Sequence, residues 1–157
     1  MQKITPFLWF ENQAEEAARY YTSIFKNSRI TSLSRFPEGT PMPAGMVMTV
    51  TFELDGQEFS ALNGGPEFKF NEAISFYVHC QDQAEVDYYW EKLCDGGEEG
   101  QCGWLKDRFG VSWQIVPNAL GELMGDPDPE KANRVTQALL QMKKLDIAAL
   151  RRARDQV

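Results

Sequence analysis

The sequence is short of histidine, of cysteine and of basic residues, and each shortage excludes something. One histidine in 157 residues rules out every metal centre that needs two or more imidazoles. The three cysteines, Cys80, Cys94 and Cys102, are odd in number, and the chain is long enough to bury a core without staples. Both points argue against a disulfide framework. Sixteen Lys and Arg stand against 23 Asp and Glu, a net charge of −7. That balance speaks against nucleic acid and against anionic membrane surfaces as partners, since both are gripped by clustered cations. No run approaches the roughly 18–20 apolar residues of a membrane span. Met-Gln-Lys-Ile-Thr-Pro at the start has no apolar run behind Lys3, so no secretory leader is read there. What is present is an ordinary globular composition, 43% hydrophobic and 12% aromatic, expected in the cytoplasm with reduced thiols.

Residues 3–10, Lys-Ile-Thr-Pro-Phe-Leu-Trp-Phe, read as a strand, and Pro6 makes it an edge strand or one that starts late. Asn12 is expected to cap a helix, with Glu15 in the capping-box position. Ala14, Ala17, Ala18, Tyr21 and Phe25 give that helix one apolar face. Residues 28–36 and 46–54 alternate as strands around a loop with three prolines and two glycines. Asp55-Gly56 then marks a tight hairpin into a strand over residues 57–63.

The pattern then begins again. Residues 74–80 read as a strand, and Asp82-Gln83-Ala84-Glu85 opens a helix containing Tyr88, Tyr89, Trp90 and Leu93. An offset of 70 lays Asn12-Gln13-Ala14-Glu15 on Asp82-Gln83-Ala84-Glu85, Phe7 on Tyr77 and Trp9 on His79. An offset of 54 lays Asp55–Ser60 on Phe109–Gln114; the difference of 16 is about the size of an extra loop in the first half. The chain reads as an internal duplication of a strand–helix–strand–strand–strand unit. After Pro117 the character changes to helices: a short one from residue 118, one capped by Asp128 with Pro129 in its first turn, and a last one capped by Asp146. Arg151, Arg152 and Arg154 suit the end of that last helix.

Phe7-Leu8-Trp9-Phe10, the stretch from Gly100 through Trp104-Leu105-Lys106-Asp107-Arg108-Phe109-Gly110-Val111-Ser112-Trp113-Gln114 to Pro117, and Met142-Lys143-Lys144-Leu145-Asp146-Ile147 resemble the vicinal-oxygen-chelate superfamily. That is the fold of glyoxalases, bleomycin-resistance proteins and extradiol dioxygenases. The stretches are closest to its PhnB-like branch, often labelled demethylubiquinone methyltransferase. The resemblance implies an α+β fold: paired βαβββ modules over residues 1–117, the first about 1–66 and the second about 72–117, forming a curved mixed sheet. Residues 118–157 then form a helical tail, packed on the modules or swapped between protomers, and superfamily habit implies a homodimer.

Carried onto this chain, the superfamily's metal positions fall on Thr5, Ser60, Ser75 and Gln114. These are four neutral groups, where a divalent cation wants carboxylate, imidazole or thiolate donors. No metal or other cofactor is therefore expected, and a divalent metal enters only if other ligands such as His79, Glu99 and Gln114 replace them. The methyltransferase label is not expected to hold, because the first strand leads through Glu11-Asn12 without the glycine-rich turn on which such a cofactor lies. Aromatic residues on strand positions, with polar candidates among them, outline a small-molecule cavity: Phe7, Trp9, Asn63, Ser75, Tyr77, His79, Gln101, Trp104 and Gln114, with Lys106 at the rim. His79 and Glu99 are the candidates for proton transfer if there is chemistry. Three functions stay open: metal-free small-molecule binding, a metal-dependent lyase, isomerase or dioxygenase-like enzyme with unconventional ligands, and a non-catalytic interaction dimer.

Overall fold

The structure is a computed structural model and describes residues 2–156. It divides into two compact units, Met1–Phe70 and Asn71–Val157.

In the first unit, β1 (Phe7–Phe10) is followed by α1 (Ala14–Ile24), β2 (Arg29–Arg35), β3 (Val47–Leu54) and β4 (Gln57–Asn63). The strands form one sheet in the order β1-β4-β3-β2, with β1 parallel to β4. β1 starts late, as the proline predicts: Pro6 has no N–H to donate, and its carbonyl accepts the Ser60 N–H at 2.9 Å. Asp55 (φ 50°) and Gly56 (φ 80°) make the left-handed pair that a two-residue hairpin requires. Three alanines, Ala14, Ala17 and Ala18, are fully buried and bring α1 close to Val50, Phe52, Phe59 and Ala61. Phe52 and Phe59 stack at 5.6 Å.

The start of α1 differs from expectation. Its N-cap is Gln13, which makes no side-chain cap bond. The free helix N–H of Ala14 instead donates to Asn63 Oδ1 at 2.8 Å, from the end of β4. Asn63 Nδ2 donates in turn to the Val47 carbonyl at 3.0 Å. The orphan donor is satisfied across 49 residues of sequence, so the local Asn12–Glu15 pattern is not needed.

The second unit repeats the topology with β5 (Phe76–Cys80), α2 (Gln83–Cys94), β6 (Glu98–Glu99), β7 (Trp104–Lys106) and β8 (Ser112–Pro117), in the sheet order β5-β8-β7-β6. Here the expected cap holds: Asp82 Oδ1 accepts the Glu85 N–H at 2.9 Å, and Glu85 Oε1 accepts the Gln81 N–H at 2.6 Å. The registers of the two units also agree. β1 and β4 pair Phe7 with Ser60 and Phe10 with Asn63; β5 and β8 pair Tyr77 with Gln114 and Cys80 with Pro117. Offsets of 70 and 54 carry the first set onto the second.

Glu98–Glu99 form a short strand, where their glycine-rich surroundings suggest a loop. Gly97 explains it, because a Cβ there would sit 2.1 Å from the Lys106 carbonyl oxygen. Glycine is what lets β6 lie against β7. Val86, Trp90, Leu93, Leu105, Trp113 and Ile115 fill the space between α2 and the sheet. Burial pushes the Cys80 thiol up to about 12 and the Cys94 thiol up to about 11.

The turn from β7 to β8 is organised by a buried carboxylate. Asp107 is 3% exposed. Its Oδ1 accepts the N–H groups of Phe109 (2.8 Å) and Val111 (3.1 Å), and its Oδ2 accepts the Trp113 indole N–H at 2.9 Å.

α3 (Ala119–Met124), α4 (Pro129–Leu139) and α5 (Ile147–Asp155) belong to the same unit. Leu123, Val135 and Leu150 form their core, joined by Leu120, Ala138, Leu139 and Met142. Asp128 and Asp146 cap α4 and α5 as their positions predict. The segment before α5 is tied to the module by backbone bonds. Cys102 N–H donates to the Met142 carbonyl (2.7 Å) and Gly103 N–H to that of Lys143 (2.8 Å). The Gln83 amide grips both sides of this segment, donating to Leu145 O at 2.9 Å and accepting from Ile147 N at 2.8 Å. Among the described residues, no helix is long and apolar enough to cross a membrane.

Candidate functional site

Alternation along β5, β7 and β8 decides what each face of the second sheet carries. Leu105, Trp113 and Ile115 point to α2 and are buried. Tyr77, His79, Gln114 and Trp104 take the opposite face, with Trp104 paired to Gln114 and Lys106 paired to Ser112 across β7 and β8. On this open face lies a pocket of about 290 Å³ whose lining includes Glu72, Glu98, Gln101, Trp104, Lys106 and Ser112.

The floor and rim of the pocket are chemically distinct. Ser112 is 2% exposed, and its Oγ has no hydrogen-bond partner among the described residues. A buried hydroxyl left unbonded is costly, about 1–3 kcal/mol on mutational scales, so a group entering the pocket would gain by meeting it. At the rim, Lys106 Nζ pairs with Glu72 Oε2 at 2.6 Å. The hydrogen bond and the charge of Lys106 hold the Glu72 carboxyl below its usual range. The same bond and charge hold the Lys106 ammonium above its own range, with a further contribution from Glu98.

Of the residues expected to line a cavity, Gln101 and Trp104 line this pocket, together with Lys106. Ser75, Tyr77, His79 and Gln114 share the unit. Gln114 Nε2 donates to Ser75 Oγ at 2.9 Å. The Tyr77 and His79 rings lie 4.8 Å apart, and partial burial raises the Tyr77 hydroxyl, with the nearby Cys80 adding to the shift.

Phe7, Trp9 and Asn63 belong to the other unit. Phe7 is 57% exposed. Trp9 packs edge-on against Phe68 at 4.9 Å and donates its indole N–H to the Gly65 carbonyl at 3.0 Å. Asn63 is 2% exposed with both ends of its amide committed to the backbone.

The two proton-transfer candidates are not brought together. His79 is on β5 and Glu99 on β6, at opposite edges of the sheet. Three strand spacings put them about 14 Å apart. Glu99 also pairs with Leu105, on the helix-facing side, and its Oε1 accepts from the Trp90 indole at 3.4 Å. It is Glu98, paired with Lys106, that shares the face of the pocket. A centre built from His79, Glu99 and Gln114 is therefore not assembled in this fold.

The positions that the resemblance assigns to metal ligands are occupied by groups engaged with one another or their neighbours. Thr5 Oγ1 donates to Glu58 Oε2 at 3.3 Å, and Ser60 Oγ lies 3.5 Å from Thr51 Oγ1. Among the described residues, no group of three or more His, Cys, Asp or Glu is placed to hold a metal ion.

Sequence reasoning missed Ser112 and Glu72. Ser112 had a usable signal, since it lies two residues before Gln114 on the same strand and so on the same face. Glu72 had none, because its role depends on an ion pair across 34 residues.

Residues 2–116 match the sequence profile of a family described as 3-demethylubiquinone-9 3-methyltransferase. The chain belongs to that family. It is the PhnB-like branch of the vicinal-oxygen-chelate superfamily. A PhnB protein from Bacillus cereus is 41% identical, with a TM-score of 0.69 over 74% of this chain and 99% of that one. Protein PA1353 from Pseudomonas aeruginosa shares the fold at 20% identity, TM-score 0.63, over 74% of this chain and 98% of its own. So does the fosfomycin resistance protein FosX from Listeria monocytogenes, at 15% identity and TM-score 0.52, over 78% and 97%. No curated protein matches the chain. α3, α4 and α5 lie beyond the stretch that this PhnB-like family profile covers.

Proposed function

We propose that this member of the PhnB-like branch is a small-molecule binding protein that works without the superfamily's usual metal centre, its ligand entering the pocket on the second unit. The observation that carries this reading is the unbonded, buried Ser112 hydroxyl lining an open cavity beside Trp104. Such a group suits a site that a ligand completes. The donor chemistry at Thr5, Ser60, Ser75 and Gln114 supports the metal-free part. All four are neutral, and Gln114 and Ser75 spend hydrogen bonds on each other. Glu58 beside Thr5 adds a single charged donor, which is less than a divalent cation needs to shed its water.

Methyl transfer, the reaction in the family's description, is not part of this reading. Cofactors of that kind lie across the glycine-rich turn of a doubly wound parallel sheet, whereas each sheet here has four mixed strands and β1 runs into α1 through Glu11-Asn12-Gln13.

We further read the chain as a cytoplasmic homodimer whose modules descend from one duplicated unit, with residues 118–157 as an appended tail. Exposed apolar residues at equivalent places before and on the edge strands support pairing: Ile4 (82%) and Phe7 (57%) in one unit, Ile74 (75%) and Tyr77 (48%) in the other.

Elemental analysis of the purified protein, before and after incubation with manganese, nickel and zinc followed by gel filtration, tests the metal-free reading. Substoichiometric metal in every sample is expected. A stoichiometric metal whose removal lowers the melting temperature would overturn it.

A further inference from the structure

We infer that this pocket selects a cationic amphiphile: a small, flat apolar body carrying an ammonium or amidinium group. The inference rests on the binding function proposed above and names the ligand class. Three of the lining residues, Glu72, Glu98 and Glu99, are acidic and one, Lys106, is basic. Lys106 is not a lone cation: its ammonium pairs with Glu72 at 2.6 Å, so the lining keeps an excess of carboxylates. Glu99 is turned toward Trp90. Glu98 is exposed and stands in no ion pair among the described residues, which leaves it as the carboxylate that an entering cation can meet.

Trp104 supplies the apolar wall of the pocket, on the same face as Lys106 and Ser112. An aromatic wall beside a carboxylate favours a cation twice, through the ring's quadrupole and through charge. Beneath them, the Ser112 hydroxyl is a second and independent pointer. It is almost wholly buried, lines the same pocket and lacks a partner. A hydroxyl both donates and accepts, so it can take an N–H from the ligand or give a hydrogen to a ring heteroatom. A volume of about 290 Å³ is at the small end of ligand sites, which fits one ring system with a short arm.

Three probes with one ring and three charges separate the possibilities: tryptamine, 3-methylindole and indole-3-acetate, titrated into the full chain at pH 7 and low salt by calorimetry. Tryptamine is expected to bind roughly 5–10-fold tighter than 3-methylindole, and indole-3-acetate weakest of the three. Raising the salt should narrow the gap. Glu98→Gln should bring tryptamine to within about twofold of 3-methylindole while leaving the neutral probe unchanged. Ser112→Ala should weaken both. Melting temperatures of the two variants, compared with the parent, separate a binding effect from loss of fold.

Equal binding of the three probes, tightest binding of the acid, or no response of tryptamine to Glu98→Gln would overturn the charge selection and leave the binding function standing. Failure of all three to bind at millimolar concentration would overturn the binding function itself, and this inference with it.

Discussion

Asp107→Ala is expected to lower the free energy of unfolding by about 3–5 kcal/mol, the largest loss of any single substitution considered in this protein. The carboxylate is buried and accepts three hydrogen bonds, two from the backbone of the turn and one from the Trp113 indole. Alanine leaves all three donors facing a space that water reaches poorly, and bonds to a charged acceptor are the stronger kind. Asp107→Asn should cost less, about 1–3 kcal/mol. The amide keeps an acceptor for the turn but sets an N–H₂ group against the indole N–H. Urea denaturation of both variants, followed by tryptophan fluorescence, checks the order. A loss below about 1 kcal/mol for the alanine variant would mean that the turn is held by something other than this carboxylate.

Asn63→Leu is expected to cost about 2–5 kcal/mol, confined to the first unit. Leucine replaces the volume, so the effect is not that of a cavity. It is the cost of two stranded backbone groups, the Ala14 N–H at the start of α1 and the Val47 carbonyl on β3. Hydrogen exchange at Ala14 and the next turn of α1 should accelerate in step with the global loss. Asn63→Asp separates the two bonds, because it retains an acceptor for Ala14 and gives up the donor to Val47. Unchanged exchange at the start of α1 in the leucine variant would show that Gln13 or water caps the helix instead.

These two residues also mark where sequence pattern stops specifying structure. Where the controlling interaction is local, the sequence is legible: Asp55-Gly56 forms its turn, and Asp82, Asp128 and Asp146 cap the helices that follow them. The matching registers of the two sheets could also be read, because side-chain alternation repeats at fixed offsets. The strand and residue type of Asn63 suit a polar group in a cavity. Which face it took was settled by the free end of a helix 49 residues away.

The same holds at the pocket. Strand position and residue type point to Trp104 and Lys106, and residue type alone to Gln101; all three line the pocket. Which of the adjacent Glu98 and Glu99 faces it depends on the register with β7, and that follows from a close approach at Gly97 which no pattern announces. Ser112 matters because it lacks a partner, a property only the folded chain has. His79 is the one histidine, and the sheet order places it on the opposite edge strand from Glu99.

Two-dimensional amide NMR of the full chain with small amphiphilic amines tests most directly whether the open face of the second sheet holds the binding site. Saturable shift changes are expected at residues 98–106 and 112–114, with the Ser112 and Trp104 amides among the largest, and little change across β1 to β4. Changes centred on the first unit, or none that saturate, would contradict this placement.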